Sequence, residues 1–188
     1  MDIKLSSLDC DILSLFRDSY VRRLSLSEIA KRLGVHHRSV HIHVAALEEA
    51  RILRRERKGR FIFVSPWLTE RFIRAMILTE IHYFLRDSRV IIHKLSERCR
   101  HTAFCIIFGS YAARREHDLS DVDILTSHPL ETDDLLVPVQ QFVYPSLSRI
   151  PSELFAEIRK NHLILTGYEP FVFEMVKHYE SREDEVVF

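Results

Sequence analysis

Two short segments of the chain combine residue types that bind phosphate with residue types that bind a metal ion. The first ends in Gly109-Ser110, directly after the apolar run of residues 103–108, which predicts a buried strand. Glycine lets a backbone approach an anion closely, and Ser110 would open a short helix whose free amides favour negative charge. In residues 120–126, a second predicted strand, Asp121 and Asp123 alternate and therefore project from the same face. This spacing predicts a divalent cation that bridges two carboxylates to the phosphates of a nucleotide.

The predicted cofactor is Mg²⁺, or Mn²⁺ in its place, because hard cations prefer oxygen ligands and leave coordination positions for phosphates. Arg114 and Arg115 lie between the two segments and are candidates for neutralising a bound triphosphate. Gly-Ser pairs and Asp-x-Asp triplets are each common in loops and at solvated edges, so neither alone indicates a site. Their combination on neighbouring predicted strands favours nucleotide binding.

The order Gly109-Ser110, ten intervening residues and Asp121-Val122-Asp123 resembles the signature of the minimal nucleotidyltransferases of the DNA polymerase beta superfamily. The resemblance covers residues 101–167 and implies a small mixed sheet closed by a helix at residues 152–160 and a strand at residues 163–167. It also implies that Asp121 and Asp123 are catalytic metal ligands and that Gly109 and Ser110 bind the triphosphate. Such an enzyme transfers a nucleoside monophosphate from a nucleoside triphosphate to an acceptor hydroxyl.

One part of that signature is missing. The family has a third acidic residue on a later strand, but the strand predicted at residues 137–144 has no Asp or Glu, and Gln140 or Gln141 occupies the region. A glutamine offers a metal a neutral oxygen but is not a base for the acceptor hydroxyl. Three acids precede the strand and could supply the carboxylate by another route: Glu131, Asp133 and Asp134.

Three functions therefore stay open for the C-terminal part of the chain. It is an active nucleotidyltransferase with an unknown acceptor, or a nucleotide-sensing transcription regulator whose transferase site is disabled. The resemblance adds a third possibility, an antitoxin that transfers a nucleotide to a partner protein such as a toxin.

The first 66 residues follow a different pattern, with three predicted helices followed by a hairpin. Ser25 and Glu28 have the spacing of a capping box that begins the second helix, and Gly34 ends it. The third helix is predicted over residues 38–50, and residues 52–64 form two β-rich arms around a Lys-Gly turn. This order is that of a winged helix-turn-helix, and the segment resembles the winged domains of archaeal and bacterial transcription regulators.

Such domains place the start of the third helix in the major groove of double-stranded DNA. The hairpin is locally basic, although the 27 basic and 27 acidic residues of the chain cancel, which favours phosphate contacts. The predicted DNA-binding residues are His37, Arg38, Ser39 and His41 on the helix and Arg54, Arg55, Arg57, Lys58 and Arg60 on the hairpin. His37 and His41 also share a helix face, but no Cys or carboxylate lies nearby to complete a metal shell, and His43 is expected to have a structural role.

The whole chain is predicted to be an α+β protein with a winged helix-turn-helix over residues 1–66, linking helices over 67–100 and a nucleotidyltransferase-like domain over 101–188. Its 188 residues with 46% hydrophobic content suffice for two modest cores. The sequence lacks a membrane-length apolar run and a signal core, which predicts a cytoplasmic protein with no membrane partner. The three cysteines, Cys10, Cys99 and Cys105, follow no disulfide or zinc pattern and are predicted to be buried thiols. The wide apolar face of the helix after residue 67 favours a homodimer.

Overall fold

The computed structural model describes residues 3–116 and 120–183 and shows an α+β protein, which confirms the predicted class. The described residues divide into two compact units. The first runs to Thr79 and resumes at Met175, and the second comprises Glu80–Glu174. These boundaries differ from those predicted at residues 66 and 100, because two helices, α4 (Glu70–Leu85) and α8 (Tyr168–Glu183), are each divided between the units.

The first unit contains three helices and a three-stranded antiparallel sheet. The helices are α1 (Ser7–Ser14), α2 (Leu26–Leu33) and α3 (His37–Glu49), and the strands are β1 (Leu24–Ser25), β2 (Leu53–Lys58) and β3 (Phe61–Pro66). The strands follow the order β1-β3-β2, with β2 and β3 forming the predicted hairpin. The apolar faces of the helices pack into a core that includes Ile12, Phe16, Ile29, Val40, Val44 and Leu47.

The local signals that begin and end α2 are those predicted from the sequence. The Ser25 hydroxyl accepts a hydrogen bond from the Glu28 amide, and the Glu28 carboxylate accepts one from the Ser25 amide at 2.8 Å. Gly34 ends the helix with a φ of +65°, in the left-handed region that glycine adopts readily. A second capping box, between Ser6 and Asp9, begins α1. Local signals therefore fix both ends of α2, and a short turn after Gly34 leads into α3.

The second unit is built on a four-stranded mixed sheet with the order β6-β5-β4-β7. In chain order, its further elements are α5 (Val90–Arg98), β4 (Cys105–Phe108), α6 (Gly109–Ala112), β5 (Val122–Thr126), β6 (Val139–Val143), α7 (Ser152–Lys160) and β7 (His162–Thr166). β5 and β6 are parallel and the other neighbours are antiparallel. One face of the sheet, with Ile107, Ile124 and Leu163, packs against Ile92 and Leu95 of α5. The sheet therefore anchors β4 and β5, the two strands next to the predicted site residues.

The cysteines differ in part from the prediction. Cys99 and Cys105 form a disulfide, so the expectation that they are thiols is wrong. A short helical turn over Cys99–His101 reverses the chain and brings their Cα atoms to 6.0 Å, within the usual range for a disulfide. This reversal depends on the fold and leaves no spacing pattern in the sequence. Cys10 is a buried free thiol as predicted, and burial raises its pKa.

The two longest helices of the described residues, α4 and α8, have 16 residues each. No helix within residues 3–116 or 120–183 combines the length and the apolar composition needed to cross a membrane.

Candidate functional site

The Gly109 bend and the Asp123 carboxylate lie against each other. Asp123 on β5 is the register partner of Phe108 on β4, the residue directly before Gly109. A Cβ atom placed on Gly109 would lie 2.6 Å from Oδ2 of Asp123, closer than two such atoms can approach. Gly109 also has a φ of +69°, which disfavours any residue with a side chain. Both the backbone conformation and the position of the carboxylate therefore favour glycine here.

Asp121 and Asp123 form a pair of like charges at the start of β5. Asp121 is exposed just before the strand, and Asp123 is half-buried within it. Burial and, to a smaller extent, the negative charge of Asp121 raise the pKa of the Asp123 carboxyl. A divalent cation between the two carboxylates would relieve this repulsion. The structure thus brings together three of the predicted site residues, Gly109, Asp121 and Asp123, and Ser110 follows directly on α6.

Gln140 occupies the position beside Asp123 on the next strand. The two residues are register partners on the parallel strands β5 and β6, and Gln140 is exposed. Gln141 has a different role, because its side-chain oxygen accepts a hydrogen bond from the Leu130 amide at 2.9 Å and its nitrogen donates to the Leu130 carbonyl at 2.8 Å. Of the two predicted alternatives, Gln140 is therefore the one next to the acidic pair, and Gln141 holds the preceding loop.

The acids before β6 do not complete a metal site with Asp121 and Asp123. Asp134 pairs with Arg98 at 2.6 Å, and the same guanidinium donates to the Glu131 carbonyl. Among residues 3–116 and 120–183, no group of three His, Cys, Asp or Glu side chains is placed to hold a metal ion. A cation held by Asp121 and Asp123 would take its remaining ligands from phosphate, water or neutral protein oxygens.

Arg114 and Arg115 follow α6, and the structure gives them different surroundings. The amide of Arg115 donates to the Ser110 carbonyl at 2.9 Å, which closes the turn, and its side chain is exposed. Arg114 has a φ of +53°, and one of its guanidinium nitrogens lies 3.4 Å from a carboxylate oxygen of Asp87. Within the described residues, neither guanidinium contacts Asp121 or Asp123. Both arginines remain candidates for contacts with a bound ligand.

Asp87 and Arg89 support the α6 turn and were not predicted from the sequence. Arg89 donates to the Tyr111 carbonyl of α6 at 2.6 Å and to a carboxylate oxygen of Glu116 at 2.8 Å. It also binds the nearly fully buried carboxylate of Asp87 at 2.7 Å. Burial alone would raise the pKa of Asp87, but the hydrogen bonds and charge of Arg89 lower it, so this carboxylate stays ionised. No local pattern could have shown this network, because its members come from separate segments.

Comparison of the chain with protein-family models, curated proteins and solved structures gives no match.

The predicted DNA-binding residues of α3 lie on the surface of the first unit. His37, Arg38 and His41 are exposed and Ser39 is half-buried. His37 and His41 line a hollow of about 100 Å³ together with Arg60 of the hairpin. The beginning of α3 and one arm of the hairpin thus border the same concave surface.

The basic residues of the hairpin separate into two groups. Four are exposed: Arg54, Arg57, Lys58 and Arg60. The fifth, Arg55, is half-buried, and its Nε donates to the Glu48 carboxylate of α3 at 2.5 Å. Arg55 therefore connects β2 to α3, which makes it a less suitable phosphate ligand than its neighbours.

His43 has the structural role that was predicted. Its Nδ1 lies 2.8 Å from a carboxylate oxygen of Asp9 and connects α3 to α1. His36 also contributes locally, since its Nδ1 accepts a hydrogen bond from the Arg38 amide at the beginning of α3. These contacts account for two of the four histidines in residues 36–43 and leave His37 and His41 at the hollow.

Proposed function

We propose that the chain is a DNA-binding protein whose second unit is a nucleotidyltransferase module that binds a nucleoside triphosphate with Mg²⁺ or Mn²⁺. The observation that carries this proposal is the contact between Gly109 and Asp123. A carboxylate lies directly beside a bend that favours glycine, so a cation held by this carboxylate could also reach an anion bound by the backbone of the bend. Asp121 supplies the second charge.

The chemistry follows from the residues at this end of the sheet. Asp121 and Asp123 would hold the divalent ion, which supplies electrostatic stabilisation of the phosphates when bound. Gly109 and Ser110 would let the backbone approach the triphosphate, and Arg114 or Arg115 would balance its charge. The acceptor oxygen would form a bond to the α-phosphorus while the bond to the bridging oxygen breaks and pyrophosphate leaves. Gln140 cannot take the hydroxyl proton, which must then pass to solvent, so we expect slow transfer.

A second candidate, a nucleotide-sensing transcription regulator, is favoured by Gln140 itself. A neutral side chain beside Asp123 would permit nucleotide and metal binding without the base that transfer requires. In this case the second unit would change DNA affinity according to whether nucleotide is bound, and the coupling would be reciprocal.

DNA binding by the first unit is proposed on three grounds. The order of three helices and a hairpin resembles that of a winged helix-turn-helix, which supports the proposal. The beginning of α3 and the hairpin border one hollow, which Arg60 lines with two histidines. Exposed arginines continue along the hairpin, where they would contact backbone phosphates. Many helix-turn-helix proteins bind two half-sites as dimers, and we include a homodimer in the proposal.

One experiment separates the transferase from the sensor. The full chain is incubated with α-labelled nucleoside triphosphates and Mg²⁺ or Mn²⁺, with double-stranded DNA or candidate protein acceptors such as a toxin partner. Transfer of label together with pyrophosphate release identifies the transferase. Nucleotide binding without turnover, accompanied by a change in DNA affinity, identifies the sensor. If labelled nucleotide does not bind with either metal, both versions of the proposal are wrong.

A further inference from the structure

The strand β6 leaves one edge of the four-stranded sheet open. In the order β6-β5-β4-β7, it has β5 on one side and no strand of the described residues on the other. Its side chains reach the surface, since Val143 is 43% exposed and Gln140 is also exposed. The strand at the opposite edge, β7, is buried except for Thr166, which is half-buried. Within the described residues, the sheet therefore presents its β6 edge for pairing with a further strand.

The pairing with β5 determines which backbone groups of β6 point outward. The Pro138 carbonyl accepts a hydrogen bond from the Val122 amide at 2.8 Å, and the Tyr144 amide donates to β5 at 3.0 Å. Residues 138 and 144 thus face β5, and because backbone groups alternate along a strand, the odd-numbered residues between them face outward. These residues are Val139, Gln141 and Val143. Their backbone N–H and C=O groups form no hydrogen bond with the part of the chain that the structure describes.

The β6 edge lacks the features that usually prevent strands from pairing. Edge strands of monomeric proteins commonly carry a charged residue, an internal proline or a bulge. Residues 138–145, Pro-Val-Gln-Gln-Phe-Val-Tyr-Pro, have no charge, and both prolines lie outside Val139–Val143. The register with β5 is continuous over all five residues of the strand. Valine and phenylalanine also favour strands, so this edge is well suited to accept another strand.

The strand is complementary to a second copy of itself. A two-fold axis through Gln141, perpendicular to the sheet, places two β6 strands antiparallel to each other. Val139 then lies opposite the partner's Val143, and Gln140 lies opposite the partner's Phe142. The outward groups are arranged symmetrically about Gln141, so those of the two copies meet and form about six hydrogen bonds. Since the segment is uncharged, no like charges oppose each other across the pair.

We propose that β6 is a homodimer interface, at which two copies of the chain pair their β6 strands antiparallel about Gln141. The pairing joins two four-stranded sheets into one, and it ends at two copies because the β7 edge is buried. Both Asp123 residues then lie on the same face of the joined sheet, separated by three strand spacings, about 14 Å. The choice of a second copy as partner rests on the homodimer of the proposed function, whereas the open edge does not.

Sedimentation equilibrium of the full chain, without DNA, nucleotide or metal, tests the interface. Wild-type protein should approach twice the chain mass of 22.3 kDa as its concentration rises from about 1 to about 200 µM. Val143→Pro removes an outward N–H and leaves the bonds to β5 in place, so it should weaken association about tenfold or more. Val143→Lys adds a charge to the edge and should have the same effect, which keeps the test valid if the proline variant does not fold. Circular dichroism verifies folding.

Two controls replace exposed leucines by lysine outside the strand. Leu136→Lys changes a residue of the same unit that is 94% exposed, and it should associate as wild type does. Leu78→Lys changes an exposed residue of α4, the helix whose apolar face was first expected to form the dimer, and it should also retain association. If Leu78→Lys is monomeric while both Val143 variants remain dimeric, the homodimer stands and the β6 interface is wrong.

Disulfide cross-linking tests the register. Gln140 and the partner's Phe142 form a non-hydrogen-bonded pair, in which Cβ atoms lie about 5 Å apart and are suited to a disulfide after small movements. A mixture of Gln140→Cys and Phe142→Cys should therefore cross-link under mild oxidation faster than either variant alone. Equal rates in the mixture and in the separate variants would overturn the pairing about Gln141.

The interface and the proposed function can fail separately. Wild-type protein that stays monomeric over the whole concentration range overturns the interface, leaves the edge to an extended segment of another protein, and does not affect nucleotide or DNA binding by single chains. If the Val143 variants dissociate as expected but no nucleotide binds with Mg²⁺ or Mn²⁺, the interface stands and the nucleotidyltransferase proposal falls.

Discussion

Substitution of Gly109 by alanine should separate the stability of the bend from its ability to hold a metal ion. Two effects act at this position. A residue with a Cβ pays about 1–2 kcal/mol to adopt the left-handed conformation. The new Cβ would also lie 2.6 Å from Oδ2 of Asp123, so the carboxylate must move by about 0.8 Å, from 2.6 Å to an ordinary contact of 3.4 Å.

The chain provides a control that shares the first effect and lacks the second. Gly34 has a nearly identical φ of +65°, and a Cβ placed there meets no atom within 4 Å. We therefore expect Gly109→Ala and Gly34→Ala to lower the melting temperature by similar amounts, about 2–8 °C for a loss of 1–2 kcal/mol. Because Asp123 is half-buried and not enclosed, its carboxylate can turn away at small cost in stability.

The two variants should differ in metal binding. A metal ligand must keep its position to within about 0.5 Å, so a shift of 0.8 Å should weaken Mn²⁺ binding about tenfold or more in Gly109→Ala, while Gly34→Ala binds as wild type does. Melting is followed by circular dichroism and Mn²⁺ binding by titration calorimetry, in the presence of a nucleoside triphosphate. If Gly109→Ala retains wild-type affinity for Mn²⁺, the cation does not bind at this bend.

The remaining predictions concern the acidic pair, its glutamine neighbours and the hairpin. Because the folded state raises the pKa of Asp123, this carboxyl favours folding when protonated and opposes it once pH rises through the folded pKa. Asp123→Asn should therefore raise the melting temperature at pH 7 without metal, and this gain should vanish as the solution is acidified; a gain that does not depend on pH contradicts the assignment. Gln140→Asp should supply the missing base and increase label transfer about 10²-fold or more, and no increase favours the sensor. Gln141→Ala should instead cost about 1–3 kcal/mol of unfolding free energy, because the Leu130 backbone loses its partners, and nucleotide affinity should not change. Arg60→Ala should reduce the slope of log DNA affinity against log salt by about one, whereas Arg55→Ala should lower stability with little change in slope; equal salt effects would show that Arg55 also contacts phosphate.

The sequence predicts those parts of the fold that are determined by residues close together in the chain. The capping box of Ser25 and Glu28 and the glycine at position 34 both appear as expected, because each depends on residues within one turn. The helix at residues 152–160 has its predicted bounds, since Pro151 restricts the residue before it and Asn161 leaves the helical conformation. The ends of the strands were predicted less accurately. All of residues 103–108 are apolar, but only Cys105–Phe108 forms β4, because hydrogen-bonded partners and not composition decide where a strand begins and ends.

At the candidate site, the sequence predicts the residue types but not the distances between segments. Register decides that Gln140 and not Gln141 lies beside Asp123, and this depends on a pairing of β5 with β6 that no local pattern encodes. The partner of Arg55 and the disulfide between Cys99 and Cys105 likewise arise from tertiary proximity. Structural and ligand-binding side chains are of the same residue types. Only their positions in the folded protein show which role each one has.

The central claim is that Asp121 and Asp123 hold a cation that bridges to a nucleotide at the Gly109 bend. Its most direct test is calorimetric titration of the full chain with a non-hydrolysable nucleoside triphosphate analogue, with Mg²⁺ and then with EDTA. We predict binding that requires the metal and that Asp121→Ala combined with Asp123→Ala abolishes without loss of the folded state. Undiminished nucleotide binding in the double variant, or no binding by wild-type protein in either Mg²⁺ or Mn²⁺, would contradict the account.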